Sequence, residues 1–305
     1  MSGLVTPPIE AEMPLGSEVV TPPAKLKSSA QCGEPPKNWR DQMGRHDKSE
    51  LRQYWDTTAR SFRSFTEAPS TQYYFRHEKR LFETYFADIS GKQLLKLDLW
   101  NEVHNTQILR WAARDCGANV YAIDIADYTV ETATHNFRSQ GLTPRFAIAD
   151  VREIPFCDNS FDFIYTMGTI EHFEKWEQVI GEVYRVLAPG GTAIIGVPNK
   201  RDPFFRPLLV EMLHAFFHYP YGYEMSFSFA ELEAACRRQG FQVVGRDGLL
   251  FYPSFLRMAD LFCHIRTKLF TPLFSATVWP FDTLCSVFPN LNQHGYLIAS
   301  ILKKA

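Results

Sequence analysis

The stretch Gln93–Ala113 constrains this chain more than any other. Leucines at 94, 95, 97 and 99 form a short apolar run, a polar turn interrupts it, and Ile108, Leu109, Trp111 and Ala112 return at helical spacing. A buried strand feeding a helix through a tight turn is the opening unit of a doubly wound parallel sheet. In such a sheet the first turn is where a nucleotide-like ligand meets backbone N–H groups. Glycines ordinarily allow that close approach. Here Trp100, Glu102 and His104 stand in the turn instead.

The pattern repeats downstream. Asn119–Ile125 reads as a second buried strand ending in Asp124, and the helix Tyr128–Phe137 is closed by Gly141. Arg145–Val151 is a third strand, ending near Asp150, and Ser160–Thr166 is a fourth. A helix over Glu174–Leu187 stops at Pro189-Gly190-Gly191, before a fifth strand at Thr192–Val197. An amphipathic helix at Phe229–Gln239 precedes a strand at Phe241–Val244, and Gly295–Leu302 supplies the last. Alternation with short connections predicts an α/β, doubly wound, mostly parallel sheet over residues 91–305. Two apolar insertions interrupt it, at about 203–223 and 249–288, the second expected to be helical.

Before the first strand, Leu51, Tyr54, Trp55, Ala59, Phe62 and Phe65, then Tyr73, Tyr74, Phe75, Leu81, Phe82, Tyr85 and Phe86, predict two aromatic helices in a cap over 41–90. They serve either as a packing layer on the sheet or as a lid over a ligand. Residues 1–40 carry paired prolines among Ser, Thr, Glu and Gly, and read as a disordered leader.

A formal charge of −2 over 305 residues gives no sign of a polyanion-binding surface, so nucleic acid is not an expected partner. The six cysteines are scattered without metal-ligand spacing, and no metal site is expected. The start of the chain lacks a secretory pattern, and no apolar run is long enough to span a bilayer. A cytoplasmic protein is expected. Phe255, Leu256, Phe262, Leu269 and Phe270, with Arg257, Arg266 and Lys268, suit peripheral contact with an anionic membrane. Oligomeric state is not legible.

Asp98, Asp124 and Asp150 stand at or near the carboxyl ends of three successive strands, the edge where open α/β sheets bind ligands. A carboxylate past the second strand can accept both hydrogen bonds of a ribose diol, and one past the third can accept from an adenine amine. Each aspartate singly also suits a helix cap or turn.

The run DVREIPFCDNSFDFIYTMGTIEHFEKWEQVIGEVYRVLAPGGTAIIGVPN, Asp150 to Asn199, resembles the central segment of class I S-adenosylmethionine-dependent methyltransferases, specifically the small-molecule "type 11" group. The resemblance runs from about Asp98 to Asn199. It implies a Rossmann-like fold and S-adenosyl-L-methionine as cofactor. It also implies that Asp124, with Ile125 beside it, holds the ribose, and that Asp150 with the Val151 amide holds the adenine. Met167 and Gly168 would lie near the methionine portion, and Asp98 near its ammonium. The chain departs from the family at Trp100–His104, where the pattern is G-x-G-x-G and no glycine remains. One reading is a scaffold that has lost its cofactor. The other, which we favour, is a rebuilt turn in which Asn101 and Asn105 take left-handed backbone and Glu102 binds the methionine ammonium, with Trp100 alongside.

His172, with Glu171, follows the fourth strand and is the candidate for acid–base work, although it also suits a helix cap. His104, His214 and His218 have weaker claims. The aromatic helices and both insertions are poor in charge, so the pocket they build suits a hydrophobic small-molecule acceptor: a lipid, an isoprenoid or an aromatic compound. The expected activity is methyl transfer to that acceptor. The alternative is a catalytically inactive scaffold or regulatory partner.

Overall fold

The strands are β1 (Gln93–Lys96), β2 (Asn119–Asp124), β3 (Arg145–Ile148), β4 (Phe161–Met167), β5 (Leu187–Pro198), β6 (Gln242–Leu249) and β7 (Leu297–Lys303). They form one seven-stranded sheet in the order β3-β2-β1-β4-β5-β7-β6. This computed structural model describes residues 48–216, 219 and 221–305. The leader expected over 1–40, the first residues of the expected cap and His218 lie outside the described residues.

β1 to β5 are parallel, as the alternating pattern requires, while β7 runs antiparallel to both β5 and β6. The helices are α1 (Lys48–Ser61), α2 (Pro69–Tyr85), α3 (Trp100–His104), α4 (Ile108–Arg114), α5 (Asp127–Arg138), α6 (Trp176–Val186), α7 (Arg206–Phe216), α8 (Phe229–Arg238), α9 (Ser254–His264) and α10 (Thr271–Val287). Helices cover both faces of the sheet, which is why its central strands read as continuous apolar runs. Successive residues of β1 enter opposite layers: Leu94 packs with Phe82, Leu109 and Val120, and Leu95 with Ile164, Val179 and Val183.

β6 extends to Leu249, beyond the expected Phe241–Val244. Its continuation carries Arg246 and Asp247, which break an apolar pattern but are paired across elements, Arg246 with Glu233 on α8 and Asp247 with Arg80 on α2. The two aromatic helices divide the roles left open by the sequence. α2 is a packing layer, with Tyr73 and Leu81 wholly buried. α1 lies on α5 and brings Trp55 to the wall of a cleft at the sheet's carboxyl edge.

α9 is built inside out. Arg257 and Asp260 are buried, while Phe255, Met258 and Phe262 are 57%, 41% and 56% exposed. The expectation that Arg257 and Leu256 join Phe255 on an outer surface is therefore corrected. Helical spacing turns both inward, Leu256 against the core and Arg257 towards a cavity.

Candidate active site

The glycine-free turn is a turn of helix. α3 begins at Trp100, and no residue from Trp100 to Thr106 has positive φ. Asn101 is helical and Asn105 has φ −134°, so neither is left-handed as expected; that conformation falls at Gln107, with φ 59°. A right-handed helical turn is open to any L residue, and this removes the need for glycine. The Asn101 carbonyl accepts from the Asn105 and Gln107 N–H groups and closes the turn.

Glu102 also departs from expectation. It is buried on the scaffold side of α3, where Oε1 accepts from the Leu109 N–H, 3.0 Å, at the start of α4. It caps a helix and forms no part of the cleft wall. Burial pushes its carboxyl up to about 7, against the pull of the Lys96 ammonium.

The cleft itself, about 140 Å³, lies where β1 and β4 diverge in connection, the switch point of the sheet. Asp98, Trp100, Asn101, Asp124, Ile125, Val151, Met167, Gly168 and His172 all line it. Asp124 is aimed by two backbone donors: Leu99 N–H to Oδ2, 2.8 Å, and Ala126 N–H to Oδ1, 2.9 Å. Burial raises its carboxyl to about 6. Asp98 is held through Oδ1 by Lys96 Nζ, 2.6 Å, and through Oδ2 by the Thr169 hydroxyl, 3.2 Å. Asp150 is not in the wall. Its carboxylate is engaged by the Arg152 guanidinium and N–H, which hold it below the usual range despite partial burial.

Gly168 follows β4 with φ 83°, a conformation that favours glycine, and its backbone forms the floor between the cleft and a second cavity. Trp100 forms the partition on the other side. Its ring packs against Phe62, His104 and Tyr221 at centroid distances of 5.1, 4.6 and 5.6 Å, within an aromatic cluster.

The second cavity, about 520 Å³, is bounded by α7, α9, the start of the loop after α1 and Tyr219, Tyr221 and Glu224. It shares Trp100, Asn101, Gly168, His172 and Tyr221 with the cleft, so the two meet at a neck. His172 Nδ1 donates to the Tyr223 carbonyl, 2.7 Å, which leaves Nε2 unprotonated in the neutral ring, 3.9 Å from Glu171 Oε1. Burial holds the imidazole below its ordinary value and lifts the Glu171 carboxyl well above its own. Glu171 Oε2 is buried without a hydrogen-bond partner among the described residues. It faces the second cavity rather than the cleft.

Sequence reading missed the polar residues of this cavity: Arg206, Glu224, Tyr219, Tyr296, Ser254 and Arg257. Arg206 is buried, paired with Glu224, and stacked 4.1 Å from the Tyr296 ring centre. The available signal was an arginine isolated within an apolar tract, which is costly to bury without a purpose.

A family model described as "Methyltransferase domain" matches residues 104–195. The match begins at the last residue of α3, so most of the rebuilt turn lies outside it. Methyltransferase GfsG of Streptomyces halstedii is 38% identical over 87 residues, 28% of this chain and 31% of that protein. Sterol 24-C-methyltransferase erg-4 of Neurospora crassa is 39% identical over 85 residues, 27% of this chain and 22% of that protein. Over this segment the chain is thus similar to S-adenosylmethionine-dependent methyltransferases, which supports a methyltransferase domain there. The matched segments span under a third of these methyltransferases' own length.

Solved structures extend the likeness of fold across the domain. Geranyl diphosphate C-methyltransferase from Streptomyces coelicolor A3(2) aligns over 85% of this chain and 98% of its own, with a TM-score of 0.53 and 12% identity. The [4+2]-cyclase SpnF aligns over 75% and 80%, with a TM-score of 0.54 and 20% identity. A methyltransferase fold thus supports more than one chemistry, and the reaction has to be argued from the site. The family's cofactor, S-adenosylmethionine, suits the residues present. The cleft offers a backbone-aimed carboxylate at Asp124, an apolar slot of Ile125, Ala149, Val151 and Phe173, and a second carboxylate at Asp98.

Proposed function

We propose that this protein transfers a methyl group from S-adenosylmethionine to a hydrophobic small molecule. The observation that carries the reading is the neck: a cleft suited to a nucleoside opens beside a larger, mainly apolar cavity, and five residues line both. In this reading Asp124 accepts from the ribose hydroxyls, Ile125 and Val151 flank the base, and Asp98 faces the methionine ammonium. Trp100, Asn101, Met167 and Gly168 surround the sulfonium end. The bound cofactor supplies an electrophilic methyl group. The chain's contribution is alignment of the acceptor atom across the neck, exclusion of water by Trp55, Trp100 and Tyr221, and a proton acceptor in the neutral Nε2 of His172. Asp150 acts one step back, by ordering the loop after β3 through Arg152.

An apolar acceptor also explains the outer surface. Leu208 and Met212 on α7, Phe255 and Phe262 on α9, and Leu273 and Trp279 on α10 are all exposed, and α9 packs on both α7 and α10. Among the described residues no helix is long and apolar enough to cross a membrane. Peripheral contact with an anionic bilayer, with Arg266 stacked on Phe262, is the role we assign to this surface.

Calorimetry with S-adenosylhomocysteine tests the central reading: saturable binding is expected, and no heat at millimolar ligand ends it. Sedimentation with phosphatidylserine vesicles tests the surface. Phe255→Ser with Phe262→Ser is expected to leave the protein in the supernatant, and unchanged sedimentation would refute membrane contact.

A further inference from the structure

The acceptor cavity has apolar walls but an end whose charges do not balance. Arg257 is 9% exposed, and among the described residues no carboxylate lies within ion-pair distance of it. Its Nη1 donates to Ser70 Oγ, 3.2 Å, and the Ser70 N–H donates to Asp260, so that carboxylate is linked to it through a serine. One turn earlier on the same face of α9, Ser254 Oγ is buried with no partner among the described residues. Both residues line the cavity.

The other charged groups do not supply the missing anion. Glu224 is committed to Arg206, whose Nε and Nη1 themselves lack acceptors among the described residues. Burial raises the Glu171 carboxyl well above its ordinary value, which disfavours the charged form here. The surplus of donors lies by the neck. Arg257 is 5.7 Å from the centre of the Tyr74 ring, and Tyr74, Asn101 and Tyr221 line the same cavity. Asn101 and Tyr221 belong to both cavities.

We propose that the acceptor is a lipid-like carboxylic acid, that Arg257 and Ser254 hold its carboxylate at the neck, and that a carboxylate oxygen is the atom methylated. This rests on the methyl-transfer reading above and names its substrate class. A guanidinium is the side chain best matched to a carboxylate, and an apolar skeleton suits the remaining wall. Entry into a low-dielectric cavity favours the protonated acid; Nε2 of His172 takes that proton and Arg257 stabilises the anion that remains. One oxygen then bonds to the methyl carbon as the methyl–sulfur bond breaks, and the electron pair of that bond stays on sulfur. A carboxylate and a sulfonium become a neutral ester and a neutral thioether. The ester no longer carries the charge that Arg257 held, which favours its release.

The test is binding, independent of turnover. Tetradecanoate, tetradecanol and methyl tetradecanoate are titrated against the full chain, with and without S-adenosylhomocysteine, by displacement of a fluorescent fatty-acyl probe. The carboxylate should bind about ten-fold tighter than the other two, Arg257→Met should reduce that preference to about two-fold or less without weakening the alcohol, and Arg257→Lys should restore part of it. Equal affinity for the three ligands, no binding of any, or a preference that survives R257M overturns the proposal. Thermal melting reports whether R257M is folded; if it is not, Ser254→Ala decides, with a loss of about three-fold or more expected for the carboxylate alone. A carboxylate preference in a protein that does not bind S-adenosylhomocysteine would instead remove the methyl-transfer reading and leave the anion site standing.

Discussion

Lys96 and Asp98 form an ion pair beneath the rebuilt turn, with the lysine buried and the aspartate at the cleft wall. The Lys96 ammonium, fully buried on β1, donates to Asp98 Oδ1 at 2.6 Å and to the Asp98 carbonyl at 2.9 Å. It is also the cation nearest to Glu78 and Glu102, two buried carboxyls that burial pushes up to about 7. Where the family uses glycines, this chain uses a helical turn whose acids share one lysine.

Lys96→Met should therefore leave several buried acids uncompensated. Removing one partner of a buried pair typically costs about 3–5 kcal/mol. Urea unfolding at pH 7 should show a loss of that size, with a smaller loss at pH 5, below the raised values of Glu78 and Glu102. A loss below about 1 kcal/mol would mean that the pair is dispensable.

Glu102→Gln isolates one of those acids, because the amide oxygen can still accept from Leu109. In the wild type the carboxyl is raised from 4.5 to about 7. The stability it contributes is present below pH 4.5 and is lost as pH rises through about 7. The variant has nothing to ionise there, so its stability relative to wild type should improve steadily from pH 5 to pH 8. The opposite trend in unfolding curves would show that Lys96 stabilises the charge by more than burial costs it.

Asp124→Ala removes the carboxylate that Leu99 and Ala126 aim into the cleft. Affinity for S-adenosylhomocysteine should fall by about 1–3 kcal/mol, the value of hydrogen bonds to a charged group. Unchanged calorimetric affinity would remove the ribose assignment.

His172→Asn should leave cofactor affinity within about two-fold while turnover drops by roughly 10²-fold or more. Burial lowers the imidazole from its ordinary 6.5, so the wild-type activity should persist below pH 6.5 before its acid limb appears. An acid limb above that value, or undiminished turnover in the variant, would leave His172 as a structural residue bonded to Tyr223.

Much of this molecule is legible without coordinates. Apolar runs of strand length and Gly141 placed the parallel strands and their helices, because burial on both faces writes itself into consecutive residues, whereas Pro189-Gly190-Gly191, read as a stop before the fifth strand, lies inside β5. Asp98 and Asp124 fell on the cleft wall because carboxyl ends of parallel strands converge at one edge. Glu102 and Asp150 lie outside the cleft wall for a common reason. Their partners, the Leu109 N–H and the Arg152 guanidinium, satisfy them locally, and whether a carboxylate faces a ligand or its own backbone depends on side-chain direction.

By itself, then, the order of residues determined the sheet, its ligand edge and the apolar character of what surrounds it, since periodicity and burial are local properties of the chain. Only the tertiary structure decided that a helical turn replaces the glycines, that α9 turns Arg257 inward and its phenylalanines outward, and that Arg206 meets Glu224. These depend on which distant segments come together to neutralise a buried charge, and no pattern of neighbouring residues encodes that.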